Sequence, residues 1–148
     1  MPTKFSGTEE EVSSLNSFIC LMRASDTISS EIHTSLLEKN LTISQFGILE
    51  TLYHVGPMSQ KELGTKILKS TANITTVLDN LEKRELVVRV RNETDKRYIT
   101  VELTDSGRKL ISEIFPSHVK KIESIFKILN CEQKRALQEL CKTLGKQF

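Results

Sequence analysis

The sequence predicts a mainly helical fold with one small β-hairpin. Apolar residues recur at every third or fourth position through most of the 148 residues, as they do on one face of a helix. In two short stretches, 88–91 and 99–103, the period changes to two, which is typical of strands. Several segments open with a hydroxyl residue followed three positions later by Glu or Gln, a pattern that caps helix starts.

The first predicted helix covers residues 8–39. Its apolar positions Val12, Leu15, Ile19 and Met22 are spaced by three or four residues. The segment contains neither glycine nor proline, so we expect one long helix.

Three shorter helices follow in the centre of the chain. The second helix ends at Gly56 and Pro57, because these residues disfavour further helical turns. A short third helix ends near Ile67, and the fourth covers residues 71–84 with one apolar and one polar face. The predicted caps are Thr42 with Gln45, Ser59 with Glu62, and Ser70.

The hairpin and two more helices complete the chain. Alternating strands flank a polar, turn-forming segment at residues 92–97. Thr104 caps the fifth helix, which Pro116 should bend or split, and Asn130 caps the sixth. We expect residues 1–148 to form a single domain.

Composition excludes several classes of protein. The three cysteines and three histidines lack the spacing of a metal site, so no metal or other cofactor is expected. Neither a phosphate-binding loop nor a nucleophile motif occurs, which argues against an enzyme. No apolar run reaches the about 20 residues of a membrane span, and no signal peptide is evident, so a cytoplasmic location without membrane contact is expected.

Two short helices followed directly by a basic hairpin are the layout of a winged helix-turn-helix, here residues 42–107. The fourth helix begins with short hydrogen-bonding side chains that suit the major groove of double-stranded DNA, and a helix start also favours a phosphate. No acidic residue lies between Lys66 and Val77 to repel the DNA backbone. The candidate DNA-binding residues here are Lys69, Ser70, Thr71, Asn73 and Thr76.

The hairpin, or wing, supplies a second set of DNA-binding candidates. Arg89 and Arg91 share one face of the first strand, while Lys96 and Arg97 lie at the tip. A guanidinium on a protruding tip can enter the negatively charged minor groove. Asp95 is expected to pair with Arg97 and orient it.

The sequence resembles the multiple-antibiotic-resistance regulator (MarR) family of transcription regulators. The residues that carry this resemblance are Leu81-Glu82, Leu86-Val87, Arg89, Asp95-x-Arg97 and Leu103-Thr104-x-x-Gly107. It implies a homodimer formed by residues 8–39 and 108–148, with both wings on a pseudo-palindromic operator. It also implies repression that a small-molecule effector or oxidation relieves.

One position departs from the family pattern. Where the family usually has glycine after the fourth helix, this chain has Glu85. Either Glu85 adopts the left-handed conformation at a cost of roughly 1–2 kcal/mol, or the helix ends differently.

Two alternative functions remain open. Cys20 lies in the first helix ahead of Ala24-Ser25, as does the reactive cysteine of organic-hydroperoxide regulators in this family, but one residue closer to that pair. It is therefore a redox candidate, whereas Cys131 and Cys141 are expected to be packed thiols. The other alternative is a winged helix that binds proteins without binding DNA.

Overall fold

The computed structural model of the chain describes residues 2–67, 71–91 and 99–146, without the side chains of Thr71 and Ala72. Within these ranges it has six helices and a three-stranded antiparallel sheet, and the sheet order is β1-β3-β2. The elements are α1 (Glu9–Leu37), α2 (Ile43–Val55), β1 (Met58–Ser59), α3 (Gln60–Lys66), α4 (Thr71–Lys83), β2 (Val87–Arg91), β3 (Ile99–Leu103), α5 (Asp105–Phe126) and α6 (Cys131–Gly145).

Most predicted helix starts are confirmed. In the first turns of α2, α3 and α6, the side chain of the cap accepts a hydrogen bond from the backbone N–H of the third helical residue, and the side chain of that residue accepts one from the backbone N–H of the cap. Thr8 and Glu11 form a further capping box at the start of α1, which the sequence prediction began one residue earlier. The predicted cap Ser70 lies outside the described residues.

The strand β1 was missed by the sequence prediction. It has two residues, Met58 and Ser59, which pair with Val101 and Thr100 of β3. Two residues carry no recognisable period, and their strand conformation depends on a partner about forty positions away. Their pairing extends the hairpin into a three-stranded sheet.

The apolar core lies where α2, α3 and α4 pack against the sheet. Leu49, Leu63, Leu78 and Val101, one from each of these elements, are fully buried. Among the described residues the buried set is entirely apolar. This core holds α3 and α4 in a fixed geometry relative to the hairpin.

Two helices end in a left-handed turn formed by a residue other than glycine. Asn40 follows α1 and Glu85 follows α4, both with φ of 55°. After α4, the amide of Leu86 donates to the carbonyl of Leu81 (3.0 Å) and the amide of Glu85 to that of Glu82 (2.9 Å), which is a Schellman motif. Glu85 therefore adopts the strained conformation, and the helix ends as it would with glycine.

Helix α5 begins tightly against this turn. Thr104 caps it by accepting a hydrogen bond from the amide of Gly107 (3.0 Å). A Cβ at Gly107 would overlap the carbonyl oxygen of Leu86 and lie 2.9 Å from its carbonyl carbon. Pro116 lies inside the continuous helix Asp105–Phe126, so of the two expected outcomes, a bend or a split, the split is wrong. No helix of the described chain is long and apolar enough to cross a membrane.

Candidate nucleic-acid interface

The exposed face of α4 carries polar side chains suited to the major groove. Asn73 and Thr76 are exposed, whereas Ile74 and Leu78, on the opposite face, are fully buried. The apolar face thus anchors the helix in the core, and Asn73 and Thr76 lie on its solvent-exposed side.

A hydrogen bond joins α3 to α4. The side-chain amide of Gln60, the first residue of α3, donates to the hydroxyl of Thr75 at 2.6 Å. Together with the shared core, this bond makes α3 and α4 one helix-turn-helix unit. Sequence reasoning did not single out Gln60, because a contact across 15 positions leaves no local pattern.

Arg89 braces the wing against α4. Its guanidinium donates to Asp79 at 2.7 Å and to Glu82 at 2.5 Å, and its backbone amide also donates to Glu82. Burial disfavours the charged form, but the hydrogen bonds to Asp79 and Glu82 outweigh it and raise the pKa of Arg89 above its usual value. The sequence prediction counted Arg89 among the DNA-binding residues, whereas the structure gives its cation two partners within the protein.

The rest of β2 is more open. Arg91 is exposed, and Val88 and Val90 are 41% and 40% exposed. The expected alternation of valine and arginine side chains is therefore present. The arginine face of the strand turns toward α4, where Arg89 contacts it. Two carboxylates on α4 make this orientation favourable, because an ion pair offsets the desolvation of the guanidinium.

Several predicted DNA-binding residues fall outside the described part of the chain. These are Lys69, Ser70, Asp95, Lys96 and Arg97. The backbone of Thr71 begins α4, but its side chain is not described. The assignment of these six residues to DNA stays a prediction.

A cluster of aromatic and imidazole rings lies between α2 and α5. The ring centroids of Phe46 and His118 are 4.2 Å apart, and those of His54 and Phe115 are 4.5 Å apart. Burial lowers the pKa of His118, although the charge of Glu50 opposes this shift. Sequence reasoning missed the cluster, since these rings only meet once α5 packs on α2.

All three cysteines are exposed in the single chain. Cys131 and Cys141 are therefore not packed thiols, because α6 buries none of its residues. Cys20 and Cys141 line the same groove between α1 and α6, together with Phe18 and Leu140. The described residues contain no group of three His, Cys, Asp or Glu side chains able to hold a metal ion.

Helix α4 packs its apolar face on the core and exposes its polar face, and ion pairs of Arg89 join it to the hairpin. This arrangement defines a winged helix-turn-helix protein. Residues 41–99 match the model of the MarR family. The HTH-type transcriptional regulator MhqR of Bacillus subtilis is 35% identical over 138 residues, which cover 91% of this chain and 95% of MhqR. The chain belongs to the MarR family, and it is a DNA-binding transcriptional regulator rather than an enzyme.

Solved structures of regulators share the same fold. AbsC, a MarR family transcriptional regulator from Streptomyces coelicolor, matches with a TM-score of 0.85 and 20% identity, over 98% of this chain and 97% of AbsC. NadR in complex with 4-hydroxyphenylacetate matches with a TM-score of 0.73 and 27% identity, over 99% of both chains.

Proposed function

We propose that this protein is a homodimeric repressor that binds a pseudo-palindromic operator and is released by a small-molecule effector. The observation that carries the proposal is the exposed polar face of α4, rigidly joined to the wing by Arg89. Asn73 and Thr76 on this face would contact base edges in the major groove. Such a braced unit can present a helix and a wing to adjacent grooves without reorganising.

The terminal helices would form the dimer. No residue of helix α6 is fully buried within the chain, and its Leu140 and Leu144 are 65% and 52% exposed. On α1, Phe18 and Met22 are 61% and 51% exposed. A self-complementary two-fold interface would cover both faces at once and set two α4 helices about 34 Å apart, one turn of DNA.

Residues near the start of α4 and in the wing would add to the affinity for DNA. We assign phosphate or base contacts to Lys69, Ser70 and Thr71, and minor-groove contacts to Lys96 and Arg97, with Asp95 orienting Arg97. Arg91, which is exposed on β2, would contact the phosphate backbone of the DNA. Arg89 would act through the wing, because its guanidinium is held by Asp79 and Glu82.

The effector would bind where the terminal helices meet the winged lobe (residues 42–107). His54 on α2 and Phe115 and His118 on α5 lie at this junction, and the guanidinium of Arg108 is 6.0 Å from the ring of Tyr53. Aromatic faces, imidazoles and a cation suit an aromatic acid. NadR, whose structure holds 4-hydroxyphenylacetate, supports this class of ligand.

Selection of bound sequences from random duplex DNA tests the proposal. We expect an inverted repeat, with affinity falling by orders of magnitude between about 50 and 200 mM salt. Arg97→Ala should weaken binding by roughly 1–3 kcal/mol. Failure to bind any DNA at low salt would instead favour a module for protein–protein assembly. Release of the selected DNA by aromatic acids then tests the effector class.

The exposed thiol of Cys20 supports a second candidate, a redox-responsive regulator of the same fold. Peroxide would then oxidise this thiol within the α1–α6 groove and alter the dimer. Operator affinity should fall after mild peroxide treatment and should not change in a Cys20→Ser variant. An equal loss in both proteins, or no loss in either, argues against this candidate.

A further inference from the structure

The turn at which α4 ends is held from two sides. This exit turn comprises Arg84, Glu85 and Leu86, and its amides already bond to carbonyls of the last turns of α4. Its own side chains and carbonyls are therefore available to other elements. Both α1 and α5 make use of them.

On one side, Arg84 reaches the end of α1. Its Nη1 donates to the carbonyl oxygen of Asn40 at 2.7 Å, across 44 positions of sequence. Asn40 is the left-handed residue that ends α1, and the amide of Leu41 donates back to Leu36 at 3.1 Å. Two helix ends of the same geometry thus meet through one charge-assisted hydrogen bond.

On the other side, the start of α5 contacts the same turn. The hydroxyl of Thr104 donates to the carbonyl of Glu85 at 2.6 Å, and its amide donates to that of Leu86 at 3.2 Å. Gly107 allows this approach, because a side chain there would collide with Leu86. In addition, Lys121 of α5 and Glu31 of α1 form an ion pair at 2.7 Å, so the two outer helices are also joined to each other.

The exit turn lies at the end of α4 opposite the DNA-binding candidates, so a small rotation there produces a larger displacement at those residues. The 13 residues of α4 span about 20 Å. A tilt of the winged lobe by about 5° about the exit turn would therefore move the opposite end of α4, where the DNA-binding candidates lie, by about 2 Å. Arg84 and Thr104 connect this end of α4 to α1 and to α5.

We infer that Arg84 is a positioning residue that sets the orientation of α4 relative to the dimer helices. It thereby sets which spacing of operator half-sites the protein accepts. This inference rests on the proposed function as an operator-binding dimer. It assigns Arg84 no contact with DNA.

The test compares Arg84→Met with the wild-type protein on the selected operator and on versions lengthened or shortened by one base pair between half-sites. Methionine keeps an unbranched stem and a good helix former but loses the donor. We expect a loss of affinity of up to about fivefold for the selected operator, because the intramolecular bond contributes to binding only by holding α4 in the orientation that fits the DNA. The penalty for a changed spacing should also become smaller, because α4 can then adjust its tilt.

Two further variants make the outcome decisive. Lys39→Ala removes a positive charge beside Asn40 without touching the hydrogen bond, and it should keep the wild-type affinity and spacing profile. Arg84→Lys keeps a charged donor and should recover part of the spacing penalty. A spacing profile of Arg84→Met that matches the wild type overturns the inference, whether or not its affinity falls. If the wild-type protein binds no DNA, the proposed function fails instead.

Discussion

The winged lobe and the terminal helices differ in how much apolar surface they leave exposed in the single chain. In the lobe, Leu49, Leu78 and Val101 have no exposed surface. In the terminal helices, Phe18 and Leu140 are 61% and 65% exposed. The core of the chain is centred in the lobe and includes Leu36 of α1 and Ile111 of α5, whereas Phe18 and Leu140 leave apolar surface exposed in the single chain.

The difference separates folding from assembly. Burial of apolar area contributes about 25 cal/mol per Å², so the lobe obtains its stability from internal packing. The same area on α1 and α6 contributes only when a second molecule covers it. Substitutions should consequently affect unfolding in one region and oligomeric state in the other.

Gly107→Ala should have the largest effect. Its Cβ would overlap the carbonyl of Leu86, which is backbone and cannot move aside without disturbing α4. We expect a loss of about 3 kcal/mol or more in the free energy of unfolding, measured by urea denaturation. Gly145→Ala in α6 is the matched control, because its Cβ meets nothing within 4 Å. Equal losses in both variants would contradict the comparison.

Leu140→Ser should be next in size, but it should act on assembly. Leu140 is 65% exposed, so covering it in a dimer is worth about 1–2 kcal/mol; a two-fold dimer loses two such contributions, and the dissociation constant should rise by about thirtyfold or more. Sedimentation velocity across protein concentrations measures this rise. Val55→Ser, at 61% exposure in the winged lobe against 65% for Leu140, should leave the dimer intact. A dimer unaffected by Leu140→Ser would place the interface elsewhere.

Arg89→Ala should lower the stability of the lobe by about 1–2 kcal/mol. It leaves Asp79 and Glu82 without their cation. Their side chains are 48% and 38% exposed, respectively, so solvent reduces the free-energy cost of the unpaired charges. Arg91→Ala removes the same charge two residues away, at an exposed position, and should change stability by less than about 0.5 kcal/mol. Thermal unfolding of both variants decides whether Arg89 braces the wing, and similar losses would refute it.

Glu85→Gly should have the smallest effect, a gain of about 0.5–1 kcal/mol. Glycine relieves the left-handed strain at φ 55°, less its own larger loss of backbone entropy. Asn40→Gly, at the same φ after α1, should gain less because asparagine tolerates this conformation better. Denaturant midpoints that rank the two variants in the reverse order would show that strain does not govern the exit turn.

The helices, their caps and the hairpin could be predicted from sequence because each has a local cause. Thr42 with Gln45 and Asn130 with Gln133 lie three residues apart, and apolar periods repeat within one helix. The left-handed Glu85 was one of two expected outcomes, and the structure decides for it. The strand β1 could not be predicted, because it forms only by pairing with a distant strand, and a bent or a split α5 at Pro116 could not be told apart from the sequence.

The order of the helices and the hairpin, the family and the polar face of α4 could be read from the sequence, since these follow from spacing along the chain. The pairing of Arg89 with α4 and the bond by which Arg84 joins the ends of α1 and α4 arise only when the chain folds. Folding also brings His54, Phe115 and His118 together. The reason is physical: a charge or a ring gives no sign along the chain of which distant partner folding will place beside it.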